Sequence, residues 1–168
     1  PAPSNVRIDA RALVQDYATE EPQMHPWKFS EDGLSRGAAV SFISMQLRRK
    51  DYEPSFRYNE ATRSYDRFYN NEPFVDGNNG VQCACDNVVS QRRKGNWPGT
   101  NRPMLGRVGQ GTAESFVDGR YSRGNCARQS LDSRTVFFDE NGEEMTFLPG
   151  KTFIHIVDTG EEVTVGYD

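Results

Sequence analysis

Histidine is nearly absent from this 168-residue chain, which has two, and cysteine is scarce, with three. Cys83, Cys85 and Cys126 leave at least one thiol unpaired within the chain. A Cys-x-Cys pair plus one distant cysteine offers too few ligands for structural zinc, with no histidine nearby, and no metal or other cofactor is expected. A basic excess is also missing. Twenty Lys+Arg stand against 24 Asp+Glu, a formal net charge of -4. Binding along a phosphate backbone needs a basic face, so nucleic acid is excluded as a partner. The longest basic run, Arg92-Arg93-Lys94, sits in a stretch rich in Gly, Asn and Pro and reads as solvated loop charge. No apolar run is long enough to cross a membrane, and no signal peptide is visible. A chain that opens on Pro1 rather than methionine is expected to be a processed or excised piece, from which a signal could have been removed.

What the sequence does contain is turn chemistry and short alternating segments. Asp9 stands as an N-cap before Ala10, Leu13, Val14, Tyr17 and Ala18 on one stripe, which predicts a short amphipathic helix from about Ala10 to Thr19. Pro22, Pro26 and Gly33 then break regular structure, through a loop with Trp27 and Phe29 as aromatic anchors. From Ala38 the period becomes that of a strand, with Val40, Phe42, Ser44 and Gln46 on one face and Ser41, Ile43, Met45 and Leu47 on the other. Residues 55–69 predict a hairpin that turns near Asn59–Thr62. Asn70-Asn71, Asp118-Gly119 and Asn141-Gly142 mark further turns. Residues 151–158, apolar on both faces, predict a central strand, with the segment from Glu161 as its partner. The expected fold is mainly β, a β-rich α+β module of antiparallel hairpins with a short N-terminal helix. Its length suits one domain, or one domain plus part of another.

The segment 56–76, FRYNEATRSYDRFYNNEPFVD, sets out Tyr58, a turn, Tyr65 and Arg67, a second turn, and Asp76. This layout resembles the YerB-like lipoproteins of Gram-positive bacteria, a family defined by a domain of unknown function. Asn59 replaces an aspartate of the family pattern, Asn71 a turn glycine, and Phe74 a histidine, so chemistry held by that histidine does not carry over. Farther on, Gly109-Gln110-Gly111, Asp118-Gly119, Gly124 to Arg128, Asp139 to Gly142, Leu148-Pro149-Gly150 and Phe153-Ile154 keep the family's order. Cys126 and Phe153 stand where tryptophans are usual. HPWKFSEDG resembles the linker before the family's C-terminal domain, and PAPSN resembles an element late in its first domain.

The resemblance implies that residues 1–35 are the tail of a preceding domain plus a linker, and 36–168 a C-terminal β-rich domain. It further implies an exported, lipid-anchored protein on the extracellular face of the cell membrane or in the cell envelope. The anchor would lie outside this chain and be its only tie to the membrane. Expected partners are an envelope protein, a peptide or a glycan, and the N-terminal domain of the same protein. The family brings no established activity. In an exported protein, the three cysteines are expected to form one disulfide, from Cys126 to either Cys83 or Cys85, and to leave one spare thiol.

Three sets of residues invite chemistry. Tyr121 to Arg128, YSRGNCAR, resembles the Ser-x-Gly-Cys-x-Arg nucleophile loop of cell-wall L,D-transpeptidases. A thiol nucleophile needs a base, yet this loop has arginine at the local histidine position and an extra Asn125. Cys126 is therefore expected as a packing residue, with a cysteine enzyme centred on it as the alternative reading. His155, between Phe153 and Val157 on one strand face, reads as a packing histidine, and the acidic turns at Asp139–Glu144 and Glu161-Glu162 as solvated charge, without EF-hand spacing. Tyr58, Tyr65, Arg67 and Asp76 form the remaining set, with Tyr69 beside them. Tyr65, Arg67 and Tyr69 share a strand face that suits a binding platform; otherwise Arg67 pairs with Asp76 and the tyrosines cover a core edge. Binding or scaffolding is the expected role.

Overall fold

The computed structural model describes residues 8–17, 26–33, 36–46, 52–96 and 104–166. It starts with helix α1 (Ala10–Tyr17), followed by β1 (Lys28–Phe29), β2 (Ala38–Ala39), β3 (Phe42–Gln46), β4 (Pro54–Asn59) and β5 (Ser64–Tyr69). β6 (Glu72–Pro73), β7 (Ala84–Cys85), β8 (Asn87–Arg93), β9 (Gly95–Asn96), β10 (Met104–Leu105) and β11 (Gly109–Val117) come next. The chain continues with β12 (Arg120–Arg128), β13 (Val136–Phe138), β14 (Thr146–Phe147), β15 (Thr152–Asp158) and β16 (Glu162–Gly166). The fold is β-rich and mostly antiparallel, with one short N-terminal helix, as the alternation and turn residues predict.

Two sheets organise the molecule. One runs β13-β12-β11-β8-β15, with β2 also on β12; the other runs β16-β3-β4-β5-β6, with β7 also on β5. Adjacent residues of the shared sheet divide between two cores, because strand side chains alternate faces. Val88 and Phe116 join Ile43, Met45, Phe56, Tyr65 and Cys85 between the sheets. Val89 and Val117 point the other way, into a second core with Cys126, Phe137, Met145, Phe147 and Leu148. Trp27 packs on this second core, and its ring N–H donates to the Thr135 carbonyl at 2.7 Å. β1 pairs with β14, so residues 27–29, placed by the sequence in a linker, are part of the β-rich body.

The turns fall where expected. Asn70 and Asn71 both have positive φ (48° and 66°), as do Asp118 and Gly119 (52° and 69°), the geometry of tight hairpins. Gly142 has φ 80° at the Asn141-Gly142 turn. Asp9 caps α1, its carboxylate accepting the N–H groups of Arg11 and Ala12 at 3.0 and 3.1 Å. The last two residues of the predicted helix, Ala18 and Thr19, lie outside the described residues, as do His25 and Leu47.

Four expectations are corrected. β15 is the edge of its sheet, not its centre, and it runs parallel to β8. It is apolar on both sides because Phe153 faces one core and Ile154 the other. β16 does not pair with β15; the chain crosses to the other sheet, where β16 zips onto β3. The predicted strand at 39–47 divides near Ser41, β2 (Ala38–Ala39) joining β12 while β3 joins β4 and β16. Arg92 and Arg93 belong to β8 rather than to a loop. Arg93 is buried and donates to the Gly109 carbonyl at 2.8 Å; Arg92 pairs with Glu114 at 3.3 Å and donates to the Glu161 carbonyl.

Candidate functional site

The β4–β5 hairpin carries the sequence-predicted site residues, and cross-strand register sets Tyr58 opposite Tyr65. Their rings are 5.1 Å apart, and both reach across to the Asp118-Gly119 turn of the other sheet. The Tyr58 hydroxyl donates to the Asp118 carboxylate at 2.8 Å, and the Gly119 N–H donates to the Tyr65 hydroxyl at 3.0 Å. Arg63, which the sequence reading did not single out, forks onto the same carboxylate through Nε (2.9 Å) and a terminal nitrogen (2.7 Å). A bidentate Arg–carboxylate pair is the strong geometry for a charge-assisted bond. It holds the Asp118 carboxyl below its ordinary range, while burial and the bond to Asp118 push Tyr58 up to about 12. Gly119 lets the Tyr58 ring lie against the turn, since a Cβ there would stand 2.6 Å from it.

Tyr65 is fully buried, and burial raises its hydroxyl pKa. The shared face of Tyr65 and Arg67 is real, but Tyr65 is buried in the space between the sheets and Arg67 is half-buried at its border. An open platform of Tyr58, Tyr65, Arg67 and Asp76 is therefore corrected. The tyrosines bridge the two sheets, and Asp76 shapes its own turn, accepting the Asn78 N–H at 2.7 Å.

Arg67 sits at the border of the inner core. Its guanidinium carbon lies 4.1 Å from the centre of the Phe74 ring and 4.6 Å from that of Phe153, so an aromatic ring stands close on each of two elements. Phe74 arrives on the strand-like segment beyond the Asn70-Asn71 turn, its N–H bonded to the Arg67 carbonyl at 3.0 Å. Phe153 arrives from β15. Arg67 makes no ion pair with Asp76, and its buried Nε has no partner among the described residues. His155 stacks on the same Phe153 ring at 4.8 Å, with Nε2 also buried and unpartnered. Burial, followed by the Arg67 charge, lowers its pKa to about 4.

Cys126 is fully buried in the second core, where its thiol points at the Thr112 carbonyl (3.8 Å), and burial raises its pKa. A nucleophile must be ionised and accessible, so the transpeptidase-like reading is corrected to a packing role. His155 faces the other core, on the opposite side of the shared sheet. The disulfide expectation is corrected as well. Cys83, Cys85 and Cys126 are all free thiols. Cys85 lies in the inner core, with its pKa pushed up to about 12 mainly by burial, and Cys83 adjoins Arg67 on the far sheet. A sheet thus separates Cys126 from both expected partners.

Two polar clefts open at the exposed strand β2. One, of about 590 Å³, is lined by Arg36, Gly37, Ser122, Arg123 and the turn from Asp139 to Glu144. The other, of about 780 Å³, is lined by Ala39, Ser41, Tyr58, Glu60, Arg63 and Arg120. No cluster of His, Cys, Asp and Glu suited to a metal occurs among the described residues.

Residues 43–154 match the model of the family described as "Protein of unknown function (DUF3048) C-terminal domain". The fold is similar to the crystal structure of the YerB protein from Bacillus subtilis, with a TM-score of 0.70 at 17% sequence identity over 92% of this chain. The chain spans about half of that protein's length, 52%. No curated protein sequence matches.

Proposed function

The chain belongs to the DUF3048 family of proteins of unknown function through its C-terminal domain, and from that premise we propose that it is a binding or scaffolding module of an exported, lipid-anchored bacterial envelope protein. One observation carries the reading: the side chains with the most obvious chemistry are used up in architecture. Cys126 is core, Tyr65 is core, and Tyr58 and Arg63 hold the Asp118 turn between the sheets. What faces solvent instead is the polar cleft beside β2 lined by Arg36, Arg123 and the acidic residues Asp139, Glu140, Glu143 and Glu144, groups of the kind that hydrogen-bond a peptide or glycan.

The reading is tested by co-sedimenting the purified chain with bacterial sacculi, beside the double variant Arg36→Glu, Arg123→Glu. Retention that falls several-fold in the variant supports it. Equal sedimentation of both proteins, or none of either, overturns it. Surface proteolysis of intact cells that make the whole protein tests export separately: protection of the domain until lysis contradicts an extracellular site.

A further inference from the structure

The Arg67 environment has no architectural use that accounts for it. A guanidinium placed in a core border for stability normally spends its five N–H donors on carboxylates or carbonyls. Arg67 spends none on the described residues: its Nε is buried without a partner, and its remaining nitrogens make no hydrogen bond or ion pair. Its position is nonetheless fixed. Phe74 and Phe153 hold the guanidinium carbon at 4.1 and 4.6 Å from their ring centres, and the residue is only half-buried, so its terminal nitrogens are the part that can meet a ligand. Two further buried polar atoms without partners, His155 Nε2 and the fully buried Ser90 Oγ, belong to residues opposite one another in the β8–β15 register. Beside the cation one apolar ring reaches the surface: Phe74 is 37% exposed on the hairpin that brings it to Arg67.

We propose that Arg67, held by Phe74 and Phe153, anchors a binding subsite for a carboxylate, whose carbon skeleton lies against the exposed part of the Phe74 ring. A planar carboxylate can meet the guanidinium edge with two parallel hydrogen bonds; a phosphate can form the same fork, but it must bring a second charge and its hydration against aromatic walls that offer one cation. A peptide C-terminus and a sugar acid both present this group. The subsite names the ligand class for the binding role proposed above and rests on that reading. It lies away from the clefts at β2, so the two can fail separately.

The test is a titration of the full chain, followed by the NMR signals of the Arg67 Nε–H and the His155 ring. The probes are N-acetylalanine, glucuronate, uncharged N-acetylalaninamide and inorganic phosphate. Saturable shifts at both residues with either carboxylate, and none with the amide, are expected; which carboxylate binds tighter tells a peptide from a sugar source. Arg67→Lys is expected to weaken binding on the order of tenfold, since an ammonium cannot form the two-bond fork. Phe74→Ser keeps the cation and removes one wall, and serves if the Arg67 variant is poorly folded; it is expected to weaken binding several-fold. The proposal is overturned if carboxylates produce no saturable shift, if phosphate binds as tightly as they do, or if folded Arg67→Lys and Phe74→Ser bind like the parent. Retention on sacculi that still falls in the Arg36→Glu, Arg123→Glu variant, alongside such a failure, leaves the wider binding role standing.

Discussion

At the scale of single residues, the Asp118 carboxylate is the most connected side chain at the junction of the sheets. It accepts from Tyr58 and from both prongs of Arg63, and it does so from a left-handed turn position that Asn can also occupy. Asp118→Asn should therefore keep the turn and lose the charge. The expected cost is about 1–2 kcal/mol in urea unfolding, because Arg63 is solvent-facing and its ion pair is screened. The pH dependence has a definite sign. The folded-state pKa of Asp118 is depressed, so its contribution is complete above the ordinary carboxylate range and is lost as pH falls through that lowered value. His155 acts in a separate window. It is neutral in the fold down to about 4, against 6.5 when unfolded, so stability falls between those values by at most about 3 kcal/mol. The difference between parent and Asp118→Asn should thus stay constant from pH 7 to about pH 5 and shrink only in stronger acid; a difference that shrinks already near pH 6 contradicts the assignment.

Secondary-structure elements show most clearly what sequence can and cannot reveal. The turns at Asn70-Asn71, Asp118-Gly119 and Asn141-Gly142 are written in local chemistry, since few residue types accept positive φ, and each is where the pattern puts it. Strand partners are not local. Nothing in residues 152–158 distinguishes an edge strand covered on both faces from a central one, and the crossing of β16 to β3 depends on a non-local pairing. The site was half legible for the same reason. Arg67 stood out, but its two aromatic walls come from positions that the family resemblance marked only as replacements, Phe74 for a histidine and Phe153 for a tryptophan. Arg63 carries no local signal, because its partner is the Asp118 turn 55 residues along the chain. Glycine at 124 is a further non-local requirement. Its φ is unremarkable, but a Cβ there would lie 1.9 Å from the Phe138 carbonyl oxygen, on the strand that pairs with β12. Gly124→Ala should pry β13 from β12 and cost about 3 kcal/mol or more, as overpacking against backbone does. Gly160→Ala, which meets nothing within 4 Å, is the matched control. Similar unfolding midpoints for the two variants contradict this account of β12–β13 packing.

At the scale of the whole molecule, the shared sheet makes the two cores interdependent, because β8 and β11 supply neighbouring residues to both. The cooperative unit is consequently larger than the stretch that the family model matches. That stretch begins at residue 43 and ends at 154, within β15, and so excludes three parts that the cores use. Trp27 contacts Phe137 and Phe147 with ring centres 5.7 and 5.6 Å apart, β2 lies on β12, and β16 covers the edge of β3 while Val163 and Val165 pack against the inner core. Loss of a large aromatic from a core typically costs about 3–5 kcal/mol, and a domain holds only about 5–15 kcal/mol in total. A chain cut to residues 43–154 is thus expected to lack a cooperative thermal transition and to bind a hydrophobic dye, whereas one cut to 26–166 should melt as sharply as the parent. Circular dichroism in the near ultraviolet during heating distinguishes these outcomes. A sharp, parent-like melt of the 43–154 piece would show that the two cores stand without the segments that flank them, and the claim that the cooperative unit extends beyond that stretch would have to be abandoned.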